Sequence, residues 1–124
     1  MIKNILVVGT GGAMGTILRY LISVYTSKHY SGDFPIATFF INITGCMLIG
    51  LFVGLAERNQ LMNGEMRLFL ITGFCGGYTT FSTFSLENQQ LMQQGNQFIL
   101  YAYLLSSIIV GIAAVYIGGY LSRI

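Results

Sequence analysis

The chain has 124 residues, 54% of them hydrophobic and only 8% charged, where soluble domains carry about 25% charged residues. So few charges cannot cover a water-facing surface, and a mean hydropathy of +0.69 agrees. Six basic and four acidic side chains leave a net charge of +2, too small a surplus to hold nucleic acid.

A membrane span needs about 20 mostly apolar residues, because a helix rises about 1.5 Å per residue and the hydrocarbon core is about 30 Å thick. Four stretches meet that length, residues 5–25, 35–56, 66–92 and 98–120. The expected fold is an all-α integral membrane protein. Residues 1–124 form a single four-span domain, with loops too short for a soluble domain. The first stretch is too long for the apolar core of a signal peptide, and three more follow it.

The first span carries Gly9-Thr10-Gly11-Gly12-Ala13-Met14-Gly15. It is no phosphate loop: no strand precedes it, the G-x-G-x-x-G spacing fails at Met14, and no Gly-Lys-Ser/Thr follows. Gly11 and Gly15, Gly50 and Gly54, and Gly73 and Gly77 each lie four apart. That spacing puts small residues on one helix face and lets backbones approach closely. A tight bundle follows, and a lone four-helix protomer has so little interior for a conduit that an oligomer is expected. Arg19 lies near the end of the first span, where it either snorkels to the interface or provides an anion-attracting vestibule charge.

Residues 26–34 make a polar loop, and Pro35 suits a first helical turn. In the second span Thr38 and Asn42 share a face. Asn42 is either a packing amide between helices or a donor to a negative species in a water path, since polar side chains in spans face the bundle interior or a cavity. Cys46 and Cys75 sit mid-span, too few for a metal site, and read as small apolar packers.

The third span holds Gly73-Phe74-Cys75-Gly76-Gly77-Tyr78-Thr79-Thr80-Phe81-Ser82-Thr83-Phe84-Ser85. Two adjacent glycines precede a cluster of hydroxyls. Backbone that leaves helical geometry inside a membrane is tolerated only where protein buries it or a polar cavity receives it. The expectation is a helix broken mid-span near residues 76–79. Thr79, Thr80, Ser82, Thr83 and Ser85 place five hydroxyls in seven residues with no carboxylate among them. Hydroxyls donate to an anion without imposing fixed negative charge, which suits an anion path better than a cation path. Phe81 and Phe84 share a face and serve either as core or as positive ring edges turned to an anion. Unwound carbonyls near the midplane can also hold a cation such as Na⁺. Glu87, near the end of this span, is open to pairing with Arg19 or to water.

The link at 93–97 makes the third and fourth spans antiparallel neighbours. Tyr103 and Ser107 share a face of the fourth span; they extend a hydroxyl track or bond between helices. Lys3, Arg58, Arg67 and Arg123 fall on one side of the four spans and Lys28 on the other, so the charge rule favours cytoplasmic termini.

Three segments together point to a family. Gly11-Gly12-Ala13-Met14-Gly15-Thr16-Ile17-Leu18-Arg19-Tyr20 resembles the G-G-x-x-G-A-x-x-R-Y opening of the Fluc (CrcB-type) bacterial fluoride channels. Thr38-Phe39-Phe40-Ile41-Asn42-Ile43-Thr44-Gly45 is similar to their T-L-x-V-N-x-x-G segment, and residues 73–85 to their most distinctive stretch. Thr16 stands where alanine is common, and Phe39-Phe40-Ile41 is bulkier than usual. The resemblance implies a passive, fluoride-selective channel that exports toxic fluoride across the bacterial inner membrane. It implies an antiparallel, dual-topology homodimer with two pores in the lipid bilayer. On that pattern Asn42, Phe81 and Phe84 contact fluoride, Thr38, Ser82, Thr83 and Ser85 line the pore, and Tyr103 and Ser107 extend the lining. Arg19 and Glu87 stand near the entrances, and the carbonyls of Gly76 and Thr79 bind a central, structural sodium ion. Dual topology disagrees with the one-sided charge count, which rests on few residues.

Two other readings compete. A proton-coupled multidrug exporter needs an ionisable group within its spans, yet the first span has no carboxylate, and Glu57, Glu65 and Glu87 sit at span ends or in loops. A non-transporting assembly subunit explains the glycines but leaves the hydroxyl cluster without a purpose. An enzyme is not expected, because the single histidine, His29, lies in a loop and no nucleophile stands beside a base.

Overall fold

The structure is a computed structural model that describes residues 1–58 and 62–124. Of the loop expected at 57–65, residues 59–61 lie outside the described residues. Helix α1 (Ile2–His29) is followed by α2 (Ile36–Arg58), and the chain ends in α6 (Gln97–Leu121). These three are long and apolar enough to cross a membrane. Between α2 and α6 the third crossing is assembled from pieces: α3 (Gly64–Arg67), a π-helical stretch (Leu68–Cys75), α4 (Gly76–Tyr78), and α5 (Phe81–Gln93). The all-α fold with an interrupted third crossing is the one expected.

The ends differ from the hydropathy estimate because helices do not stop where hydrocarbon does. α1 begins at Ile2 and runs to His29, with Lys28 in its last turn, where a cation meets the negative end of the helix dipole. Asn63 caps α3 by accepting from the Met66 N–H at 2.8 Å. Between α5 and α6 the chain reverses through Gly95 at φ 74°. The Gly95 N–H reaches the Met92 carbonyl at 3.1 Å and the Asn96 N–H reaches that of Leu91 at 3.1 Å, the paired bonds of a Schellman close that needs a left-handed residue.

α1 lies along the first half of the third crossing, and α2 lies along α6. Glycine makes both contacts possible. A methyl group on Gly11 would meet the Phe69 carbonyl oxygen, and one on Gly15 the Phe74 carbonyl oxygen. From the other side, one on Gly73 would stand 2.7 Å from the Val8 carbonyl oxygen, and one on Gly77 would meet the backbone of Gly12. Gly50 faces the Val115 carbonyl in the same way, and Gly118 that of Met47. The glycine spacing is therefore used inside the protomer, for backbone-to-backbone packing.

The break is displaced from where the glycines suggested. Gly76 has φ −63° and ψ −39°, and α4 runs on through Gly77 to Tyr78. The extended residues are Thr79 (φ −81°, ψ 157°) and Thr80 (φ −148°, ψ 117°). Gly77 is bare because α1 presses on it, while two β-branched threonines, which favour extended backbone, make the interruption.

Candidate functional site

Two extended residues at mid-membrane leave backbone groups without helical partners, each costly in hydrocarbon. Thr80 answers most of the need. As N-cap of α5, its hydroxyl oxygen accepts from the Thr83 N–H at 3.2 Å and donates to the Thr83 hydroxyl oxygen at 3.1 Å. Its main chain is claimed by Asn42: the Thr80 N–H donates to Asn42 Oδ1 at 2.9 Å, and Asn42 Nδ2 donates to the Thr80 carbonyl at 3.0 Å. The amide acts like one rung of a β-ladder reaching over from α2. It does pack between elements, and only one of its two N–H donors is spent on Thr80.

Other carbonyls around the break are treated unequally. The Gly77 carbonyl accepts from Arg19 Nε at 3.1 Å and from the Thr16 hydroxyl at 3.3 Å. Arg19, expected at the interface or at an entrance, is thus held against the C-terminal end of α4, where the dipole is negative. It is not brought together with Glu87. The Gly76 carbonyl would take the Thr80 N–H in a continuous helix, but that donor is spent on Asn42. The Thr79 N–H and hydroxyl both turn back to Cys75. Among the described residues, no donor is recorded for the carbonyls of Gly76 and Thr79, and both residues line the same cavity. Two unclaimed carbonyl oxygens are the donor chemistry that fits a hard cation such as sodium, although Arg19 already holds the neighbouring Gly77 carbonyl.

That cavity, about 620 Å³, opens on the face of α2, α6 and the break. Asn42, Phe81, Phe84 and Ser107 line it together with Thr79, Thr80, Ile71 and Ile108, and none of its lining side chains is charged. The Phe81 and Phe84 rings lie 5.9 Å apart at 40°. Phe81 is 79% exposed; it is not core. Ser107 Oγ is buried and has no partner among the described residues. Thr83 faces Thr80, whereas Ser82 and Ser85 lie on the exposed side of α5, outside this cavity.

A second cavity of about 290 Å³ lies at the α2 N-terminus, lined by Asp33, Phe34, Thr38, Glu87 and Gln90 among others. Glu87 is gripped from two sides: the Thr38 hydroxyl donates to its Oε1, and the Tyr103 hydroxyl donates to Oε2 at 2.8 Å. Glu87 therefore stands at a mouth, with Thr38 and Tyr103 beside it and Asn42 one turn further in along α2. Sequence reasoning missed two participants. Thr80 is one of the five clustered hydroxyls in the sequence, and its capping role emerges only in the structure, although Ser or Thr just before a new helix is a capping signal. Phe34 sits in a loop that reads as polar, and nothing local marks it.

The family model described as CrcB-like protein, camphor resistance (CrcB), matches residues 6–119. A protein of Azobacteroides pseudotrichonymphae named "Fluoride-specific ion channel FluC" is 47% identical over 118 residues, covering 95% of this chain and 94% of that protein. A protein of the same name from Flavobacterium psychrophilum is 45% identical over 116 residues, with 94% of each covered. One from Agrobacterium fabrum, also of that name, is 46% identical over 120 residues, covering 97% of this chain and 96% of that protein.

Proposed function

The chain belongs to the CrcB-like (Fluc) family, and from that membership we propose that it is a fluoride-selective channel, passive and not an enzyme, which lets fluoride leave a bacterial cell across the inner membrane. The observation that carries the reading is the unspent, buried Ser107 Oγ of a residue that lines an uncharged cavity together with Asn42, Phe81 and Phe84. Hydroxyl, amide and ring edge all present positive ends, and a small, hard anion draws most from such donors. α5 also begins at Phe81 on the cavity wall, so the positive end of a half-helix dipole adds to the field.

The path runs from the mouth at Glu87, past Thr38 and Tyr103, to Asn42 and Ser107 between Phe81 and Phe84. Ser82, Thr83 and Ser85 extend its polar lining, and Arg19 acts on it through the break. One protomer leaves this path open on one side, with Phe81, Ser82 and Ser85 exposed at a depth where hydroxyls need partners. A second copy closes it. In the antiparallel, dual-topology dimer two such paths lie side by side. The carbonyls of Gly76 and Thr79 from both copies would hold a sodium ion. Such an ion would supply fixed positive charge that offsets the cost of holding an anion in a dry passage.

The test is release from liposomes. Purified protein in vesicles loaded with potassium fluoride should discharge fluoride within seconds of adding a potassium ionophore, as read by a fluoride electrode. Vesicles loaded with chloride should stay loaded. No fluoride release, or equal release of both, overturns the reading.

A further inference from the structure

Five aromatic rings run in contact from the mouth to the cavity. Phe81 touches Phe84; Phe84 meets Tyr103 edge-to-face, with centroids 5.0 Å apart at 63°. Tyr103 meets Phe34 edge-to-face at 5.4 Å and 72°, and Phe34 meets Phe39 at 5.5 Å and 71°. Tyr103 is fully buried, at 0% exposure. Its hydroxyl is tied to Glu87, which fixes the position of one atom, whereas the tilt of the ring is set by what stands against its faces and edges. Its aromatic neighbours are Phe84 on the cavity side and Phe34 on the mouth side, within a cluster that also holds Leu91 and Leu100.

Phe34 is itself held as a wedge. It precedes Pro35, which confines it to extended backbone. Its carbonyl accepts from the Ile36 N–H at 2.7 Å, and Pro35's accepts from Phe39 at 3.0 Å. Its ring also lines the mouth cavity beside Thr38 and Glu87. Phe34 therefore stands between the water of the mouth and the back of the Tyr103–Phe84 pair.

We propose that Phe34 is a positioning residue for conduction: wedged against Tyr103, it fixes the tilt of the Phe84 ring and keeps mouth water from reaching behind it. This rests on the fluoride-channel reading. An edge-to-face pair is worth enough to set a ring's orientation. Without Phe34, Tyr103 gains room to rock, and Phe84 loses its backing on the side away from the anion.

The experiment compares wild type, Phe34→Ala, Phe34→Leu, Phe84→Ile and the Phe34→Ala/Phe84→Ile pair in the fluoride-release assay, with thermal melting of each in detergent. Phe34→Ala should slow fluoride release about fivefold, from the loss of its pair with Tyr103. Phe34→Leu, which keeps the bulk and the fold but not the ring edge, should also slow it. The decisive readout is coupling: in the Phe84→Ile background, Phe34→Ala should produce no further slowing. Wild-type rates in both Phe34 variants overturn the proposal, as does multiplicative slowing in the pair. A wild-type protein that releases no fluoride overturns the channel reading itself, a result distinct from either.

Discussion

Asn42 and Thr80 are joined by two opposed hydrogen bonds of 3.0 and 2.9 Å, so a side chain on α2 completes the backbone of the broken crossing. The pairing needs one donor and one acceptor on the same side chain. Asn42→Asp keeps the shape but sets an oxygen against the Thr80 carbonyl. Leaving a buried group unpaired costs about 1–3 kcal/mol, and a charged one costs more. The variant should melt at clearly lower temperature in detergent and release no fluoride. An unchanged melting temperature would show that the break stands without this clamp.

Ser107 gives the opposite combination. Its Oγ has no protein partner, so Ser107→Ala removes no bond from the fold and relieves a buried hydroxyl of its desolvation. Melting should be unchanged or slightly higher. Fluoride release should fall about tenfold, the scale set by one hydrogen bond to a charged group. If release keeps its wild-type rate, the hydroxyl is a bystander, and the observation on which the functional reading rests is gone.

How far the sequence could be read depends on the kind of information each feature needs. Four crossings follow from hydropathy because the bilayer imposes one length on all of them. The candidate site stood out in the sequence for a different reason: hydroxyls without acids, near Asn42 and Phe81, are anomalous in an apolar run, although only Thr79 and Thr80 of that cluster line the cavity. The position of the break was legible only to within a few residues: the range 76–79 includes Thr79, where the chain turns extended, but not Thr80. Gly76 and Gly77 looked like the interruption because glycine is permissive, yet Gly77 is bare to admit the Gly12 backbone, a requirement of α1 that no local pattern displays. The π-helical turn at Leu68–Cys75 was invisible for a similar reason, since an unbroken apolar run has no phase from which to read its period. Arg19 resisted as well. Its partner, the Gly77 carbonyl, becomes available only once the helix ends at Tyr78.

Glycines of one helix should respond to substitution in opposite senses. A methyl group on Gly15 would meet the Phe74 carbonyl oxygen and stand 2.8 Å from the Tyr78 nitrogen. Both are backbone atoms that cannot rotate aside. Gly15→Ala should therefore destabilise by about 1–3 kcal/mol, the usual cost of overpacking. Gly9 has nothing within 4 Å, and Gly9→Ala should stabilise by about 0.5–1 kcal/mol through helix propensity. Denaturation of the two variants side by side in one detergent checks the contrast. Equal shifts would mean that α1 does not seat against the third crossing in this register.

Gly76 separates the protomer from the assembly. It is exposed, and a side chain there would meet nothing within 4 Å in its own chain. Its neighbours on α1's side, Gly73 and Gly77, are both pressed by backbone. If a second copy packs across the cavity with the Gly76 and Thr79 carbonyls turned to a shared sodium ion, room at Gly76 is needed only between copies. Gly76→Leu should then leave the helical content intact while converting the protein to monomers, seen as loss of the dimer in cross-linking within liposomes and as loss of fluoride release. Sodium should protect wild type against melting more than potassium does, and this difference should vanish in the variant. A Gly76→Leu protein that still cross-links as a dimer and keeps its sodium protection would place the interface and the ion elsewhere, because four added heavy atoms cannot fit beside a carbonyl cage on a symmetry axis without displacing the partner.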